Sequence, residues 1–131
     1  MDTPEQKPEP TFANISDLLF FVAKRDKELE AEGRKKLHHQ HDNKGWQELV
    51  RQRAQLLADL PETLAEYKAK GGDVPKEAED FAGGYSVLAK EMLAEDNMFG
   101  MDSLLSAPGL MNDDPNDLER LAARLQPPDE V

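Results

Sequence analysis

Apolar residues recur at alternating three- and four-residue steps in three long stretches, the spacing that places them on one face of an α-helix. In the first stretch Ile15, Leu18, Leu19 and Val22 form the stripe, and Asn14 or Ser16 is placed to cap it. Phe20 and Phe21 point away from that stripe, so the helix is apolar on nearly all sides and is expected to be buried on two faces. In a chain this small the second face is expected to be a homodimer contact through Phe20 and Phe21.

The second helix is expected to open at Trp46 and to bury Trp46, Leu49, Val50, Arg53, Leu56, Leu57, Leu60 and Leu64. Pro61 cannot donate to the helix ladder and should kink or restart it; Gly71-Gly72 should end it. A third helix follows Pro75, with Ala78, Phe81, Tyr85, Leu88 and Met92 as its expected core stripe. Gly83 and Gly84 sit in its middle, where each costs about 1 kcal/mol relative to alanine. Close helix packing, or room for a ligand, would account for them.

Beyond residue 96 the pattern breaks up. A short helix is expected around residues 101–106, and a last one starting at Asp114-Pro115 with Leu118, Leu121, Ala122 and Leu125 on its apolar face. No stretch shows the period-two alternation of a strand. The expected fold is all-α, a small helical bundle of three main helices plus short C-terminal helices. Residues 1–12 are polar and proline-rich and are expected to be disordered; residues 13–96 form the bundle, and 97–131 a methionine-rich segment with the short helix.

Composition narrows the function. The chain has 131 residues and a net charge of −11, so nucleic acid is repelled and is not an expected partner. The longest apolar run, residues 18–23, has six residues against the roughly 20 that span a bilayer; no membrane partner is expected. Cysteine is absent, which removes disulfide and thiolate chemistry and suits the cytoplasm. The start lacks the basic-then-apolar order of a signal peptide.

The constellation with candidate chemistry is carboxylate. Glu77 and Asp80, three residues apart, are neighbours on a helix surface, and Asp59 and Glu62 repeat the spacing on the preceding helix. Two such pairs from facing helices could hold Mg²⁺ through oxygen ligands; a solvated charged face is the competing reading. Arg53 falls inside an apolar stripe, which is costly for a charge unless it is paired. Glu77 and Asp80 are its expected partners, or it contacts a phosphate. His38 and His41 could chelate a divalent ion, or simply suit the positive character favoured at a helix C-terminus.

Residues 76–92, KEAEDFAGGYSVLAKEM, resemble the second metal-binding helix of the MazG-like all-α nucleoside triphosphate pyrophosphatases, with Glu77 and Asp80 at the Glu-x-x-Asp positions. Residues 41–46, HDNKGW, are similar to the Lys-Gly-Gly-Trp segment of phage relatives. The family's first motif, Glu-Glu-x-x-Glu, corresponds to Ala58-Asp59-Leu60-Pro61-Glu62. The resemblance covers residues 41–95. It implies a bundle that dimerises, Mg²⁺ held by Glu77, Asp80, Asp59 and Glu62, and cleavage of a nucleoside triphosphate to monophosphate and pyrophosphate. It also implies phosphate contacts from Lys44 and Arg53, and base stacking on Trp46.

Alanine in place of the first acid tips the expectation toward a non-enzymatic, phage-encoded protein-interaction factor. Its partner would be bound through Phe20, Phe21, Met98, Phe99, Met101, Leu104 and Leu105, since methionine-rich apolar segments adapt to partner grooves. The Mg²⁺-dependent pyrophosphatase, or a nucleotide-binding relative without activity, is the alternative, and the sequence leaves enzymatic activity open.

Overall fold

A computed structural model of the protein describes residues 12–104 and 116–126. Among them are six α-helices and no strand: α1 Ile15–His38, α2 Asn43–Ala58, α3 Leu60–Ala69, α4 Lys76–Glu95, α5 Met98–Ser103 and α6 Asp117–Arg124. This is the expected all-α bundle. The expected disorder of residues 1–11, the partner contact at Leu105 and the Asp114-Pro115 helix start lie outside the described residues.

Local chemistry sets most helix ends. The Asn14 side chain accepts from the Asp17 N–H at 3.0 Å, and Asp42 does the same for Gly45 at 2.9 Å, which satisfies N–H groups that have no partner in the first turn. Helix α2 thus starts three residues before Trp46. At its other end the helix restarts at the proline rather than kinking through it. Pro61 sits in the first turn of a separate α3, where its missing N–H costs nothing, and the Asp59 carbonyl accepts from the Thr63 N–H at 3.0 Å. After α3 the chain turns through Gly71 at φ +98°, a conformation that favours glycine; a side chain on Gly72 would collide with the Tyr67 ring. Helix α5 begins at Met98, three residues earlier than expected, because Asn97 caps it by accepting from Gly100 at 2.9 Å. At α6, Asn116 and Glu119 exchange two bonds of 2.8 and 2.9 Å, a capping box.

Helix α2 lies at the centre, packed on α1 and α4; α5 also rests on it, α6 rests on α1, and α3 on α4. Between α1 and α2 the core is made of large side chains, Leu18, Leu19 and Val22 with Val50 and Leu57. The α4 seam is different. Its buried residues are Ala78, Ala82, Ser86 and Ala89, so the helix is turned away from the expected stripe. Phe81, Tyr85 and Met92 are only partly buried, and Leu88 is 44% exposed.

Two buried hydroxyls tie helices together. Ser86 Oγ donates to the Ala58 carbonyl at 2.7 Å, and Ser16 Oγ to the Ala122 carbonyl at 2.6 Å. Both carbonyls belong to the last turn of a helix, where intrahelical donors run out. No helix among the described residues is long and apolar enough to cross a membrane.

Candidate functional site

The four carboxylates expected to hold a metal do not converge. Glu77 pairs with Arg124 of α6. Asp80 is exposed and held by Lys76 on its own helix at 3.0 Å. Asp59 stands at the α2–α3 break and accepts from Gln55 at 2.9 Å; Glu62 is exposed on α3. Among the described residues no three His, Cys, Asp or Glu side chains are grouped so as to hold a metal ion. The donor set for Mg²⁺ is therefore not assembled, and no chemical step is derived through that ion. His38 and His41 are both exposed.

Arg53 is 2% exposed, but its partners are not Glu77 and Asp80. Nε donates to Asp26 Oδ1 at 3.2 Å, Nη1 to Asp102 Oδ1 at 3.1 Å, and Nη2 to the Leu104 carbonyl at 3.4 Å. One guanidinium on α2 thereby links α1 to α5. The sequence carried a signal for Asp26. It continues the α1 stripe as Leu19, Val22, Asp26, Leu29 and Gly33, an acid on a buried face just as Arg53 is a base on one.

Asp26 is 1% exposed, and its second oxygen, Oδ2, has no hydrogen-bond partner among the described residues. Burial pushes its pKa from 3.8 up to about 6, against the opposing pull of Arg53. Desolvation thus outweighs the ion pair, as is common for buried pairs. A second raised group joins α4 to α6. Burial, then the hydrogen bond to Asp117, lifts the Tyr85 hydroxyl to about 12, and Tyr85 donates to Asp117 Oδ2 at 2.9 Å.

Beside Arg53 is a cavity of about 110 Å³. Trp46, Arg53, Asp102, Glu30, Arg34 and His38 supply its polar and aromatic wall, and Leu29, Leu37, Leu49 and Val50 its apolar one. Gly33 leaves the space that the Trp46 ring fills, since a Cβ there would lie 3.3 Å from its Cδ1. Of the three residues expected to bind a nucleotide, Trp46 and Arg53 are brought together and Lys44, exposed on the first turn of α2, is not in the wall.

The expected partner residues divide. Phe99 is 85% exposed and Phe21 53%. Phe20 and Met98 are partly buried against the core. Met101 and Leu104 correct the expectation: both are buried in the core, because α5 docks on α2 through them, and they present nothing to a partner while it is docked. Phe21 packs against Phe12 with ring centroids 5.4 Å apart and planes tilted by 58°. The two rings border an apolar groove of about 240 Å³ between α1 and α3, walled also by Leu18, Val22, Leu56 and Tyr67.

No family model, curated protein or solved structure matches the chain.

Proposed function

We propose that the protein is a non-enzymatic interaction factor that binds another protein through apolar side chains its own fold leaves uncovered. The observation that carries this reading is Phe21, half in solvent at the lip of the 240 Å³ groove. Phe99 on α5 and Val87 and Leu88 on α4 add to it, because a small fold that leaves large apolar groups outside its core offers them for contact. The phage-encoded origin and the cytoplasm are the setting proposed for it, and a homodimer through the Phe21 side is the simplest assembly that would cover the groove.

The test is photo-crosslinking in the native host from probes placed at Phe21 and at Phe99. Covalent adducts to one defined protein, or to a second copy, are expected. A chain that yields no adduct at either position is not an interaction factor of this kind.

The second reading is a nucleotide-binding relative of the MazG-like pyrophosphatases. What supports it is that Trp46 and Arg53 wall one cavity. At about 110 Å³ that cavity is smaller than the roughly 300–1,000 Å³ of ordinary ligand sites, so a bound nucleotide would have to lie largely outside it. Thermal unfolding with Mg²⁺ and a panel of nucleoside triphosphates tests this. Ligand at about 100 times its Kd adds roughly 2.7 kcal/mol, and the shift should be lost in Trp46→Ala, which removes the aromatic wall of the cavity.

A further inference from the structure

Arg53 serves two acids and leaves one of them half satisfied. Its Nε and Nη2 lie on the same edge of the guanidinium, the edge that matches both oxygens of one carboxylate. Nε donates to Asp26 Oδ1 at 3.2 Å, but Nη2 does not complete the fork. It donates instead to the Leu104 carbonyl at a long 3.4 Å, and Asp26 Oδ2, fully buried, has no hydrogen-bond partner among the described residues. Nη1 reaches Asp102 of α5 at 3.1 Å. The docking of α5 thus takes from Asp26 the donor that its second oxygen needs, and a buried acceptor without a donor is costly.

Helix α5 is the element able to give that donor back. It has six residues, too few to persist as a helix alone in water. Met101 and Leu104, 0% and 6% exposed, hold it to the core, together with Arg53. Its acid, Asp102, is 46% exposed, so water can replace Arg53 there; Asp26, at 1%, has no such recourse. The chain passes from α4 to α5 through two exposed residues, Asp96 at φ 55° and Asn97, so the two helices are separate rods with a pivot between them.

We propose that α5 is a latch with two positions, in which the Leu104 carbonyl and Asp26 compete for the same edge of Arg53. In the closed position, the one described above, α5 is docked and Asp26 Oδ2 is unpaired. In the open position α5 swings off α2, Arg53 closes a two-bond fork on Asp26, and Met101 and Leu104 enter solvent. Burial of those two side chains favours the closed position; the completed fork and the freedom gained by α5 favour the open one. The two positions are therefore closer in free energy than burial alone would set them, and α5 opens while the rest of the bundle stays folded. The latch is independent of the interaction-factor reading, since its opening needs no partner.

The chain has no cysteine, so Met101→Cys gives it a single thiol that reports the opening. Labelling with a disulfide reagent is followed at about pH 8, where thiolate is available and Asp26, with its pKa raised to about 6, is ionised. The rate is expected to be nearly flat in low urea, because a local opening exposes little surface. It should exceed that of Ala89→Cys, buried in the α4 seam, by at least about tenfold. Asp26→Asn gives Arg53 no second oxygen and makes Asp102 its remaining carboxylate, so it should slow the labelling about tenfold. Asp102→Asn should speed it, and by a larger factor in the Asp26→Asn chain, where Arg53 has no other acid to turn to. Labelling with the urea dependence of Ala89→Cys would mean that α5 opens only with the whole fold. Equal or faster labelling in Asp26→Asn, or independent effects of the two acids, would mean that they do not share Arg53 in this way. Any of these results overturns the proposal.

Discussion

Helix α2 has two principal neighbours, α1 and α4, and meets them by opposite means. Toward α1 it presents leucines and valine, and between those it buries Arg53 with Asp26. Toward α4 it meets a seam of alanines and one serine, whose hydroxyl caps the Ala58 carbonyl. The first interface gains from apolar area and contains a costly ionic group. The second gains from close approach and contains almost none of the large side chains α4 possesses. Side-chain size therefore says little about which face of a helix is inside. Where the partner backbone comes near, small residues are buried and large ones are left at the margin or in solvent.

The sharpest way to break the α1–α2 side is Arg53→Met. It leaves Asp26 buried without its counter-charge and removes the bonds to Asp102 and the Leu104 carbonyl, so a loss of about 3–5 kcal/mol is expected in urea unfolding at neutral pH. Adding Asp26→Leu should recover a good part of it, because the apolar pair needs no desolvation.

Asp26→Asn sharpens the same interface in the opposite direction. The folded-state pKa is about 6 and the model-peptide value 3.8. Between these values the unfolded chain has released the proton and the folded chain still holds it. The folded state then binds more protons, and stability falls as pH rises through this window. The loss is complete above pH 6 and amounts to about 3 kcal/mol at most. Asp26→Asn, neutral throughout, should flatten this part of the stability–pH curve and be the more stable variant at pH 7. A curve with the same slope in both chains would show that the carboxylate is not desolvated as the geometry implies.

On the α4 side the comparison predicts a reversal of the usual expectation for size. Ala82→Leu should cost about 1–3 kcal/mol by forcing α4 off α2. Leu88→Ala, which removes a far larger side chain, should change stability by less than about 0.5 kcal/mol. Smallest of all, Gly84→Ala should raise stability by about 0.5–1 kcal/mol, measured by thermal unfolding. A loss there would mean that the glycine is needed inside the fold after all.

These contrasts also explain what could be read from the chain beforehand. The α1 stripe and the leucines of α2 were legible because large apolar residues follow the helical period there. Asn14 and Pro75 marked helix starts by their own chemistry. In α4 the expected Ala78 is buried, but Phe81, Tyr85 and Met92 are only partly so and Leu88 is exposed, because the buried Ala82, Ser86 and Ala89 carry no hydropathy signal strong enough to compete. Arg53 was legible as a charge in need of a partner, but the partner was sought among the clustered acids of α4. Asp26 was overlooked because it sits in a highly charged half of α1, where one more acid draws no notice. Asp102 lies in a short helix whose register was set by the Asn97 cap rather than by periodicity. Proximity across the fold, which decides both contacts, has no counterpart in spacing along the chain.

The Ser16–Ala122 hydrogen bond joins residues 106 positions apart, and it has a consequence for how the molecule is made. Helix α6 covers α1 through Leu118, Leu121 and Ala122, with Lys27 and Glu119 paired at 2.9 Å beside them. On a ribosome adding about 5–20 residues per second, α1 emerges roughly 5–20 s before the helix that closes over it. During that interval the α1 face around Ser16 is bare in every nascent copy. How long that face stays uncovered is set by the rate of synthesis, not by the stability of the finished fold.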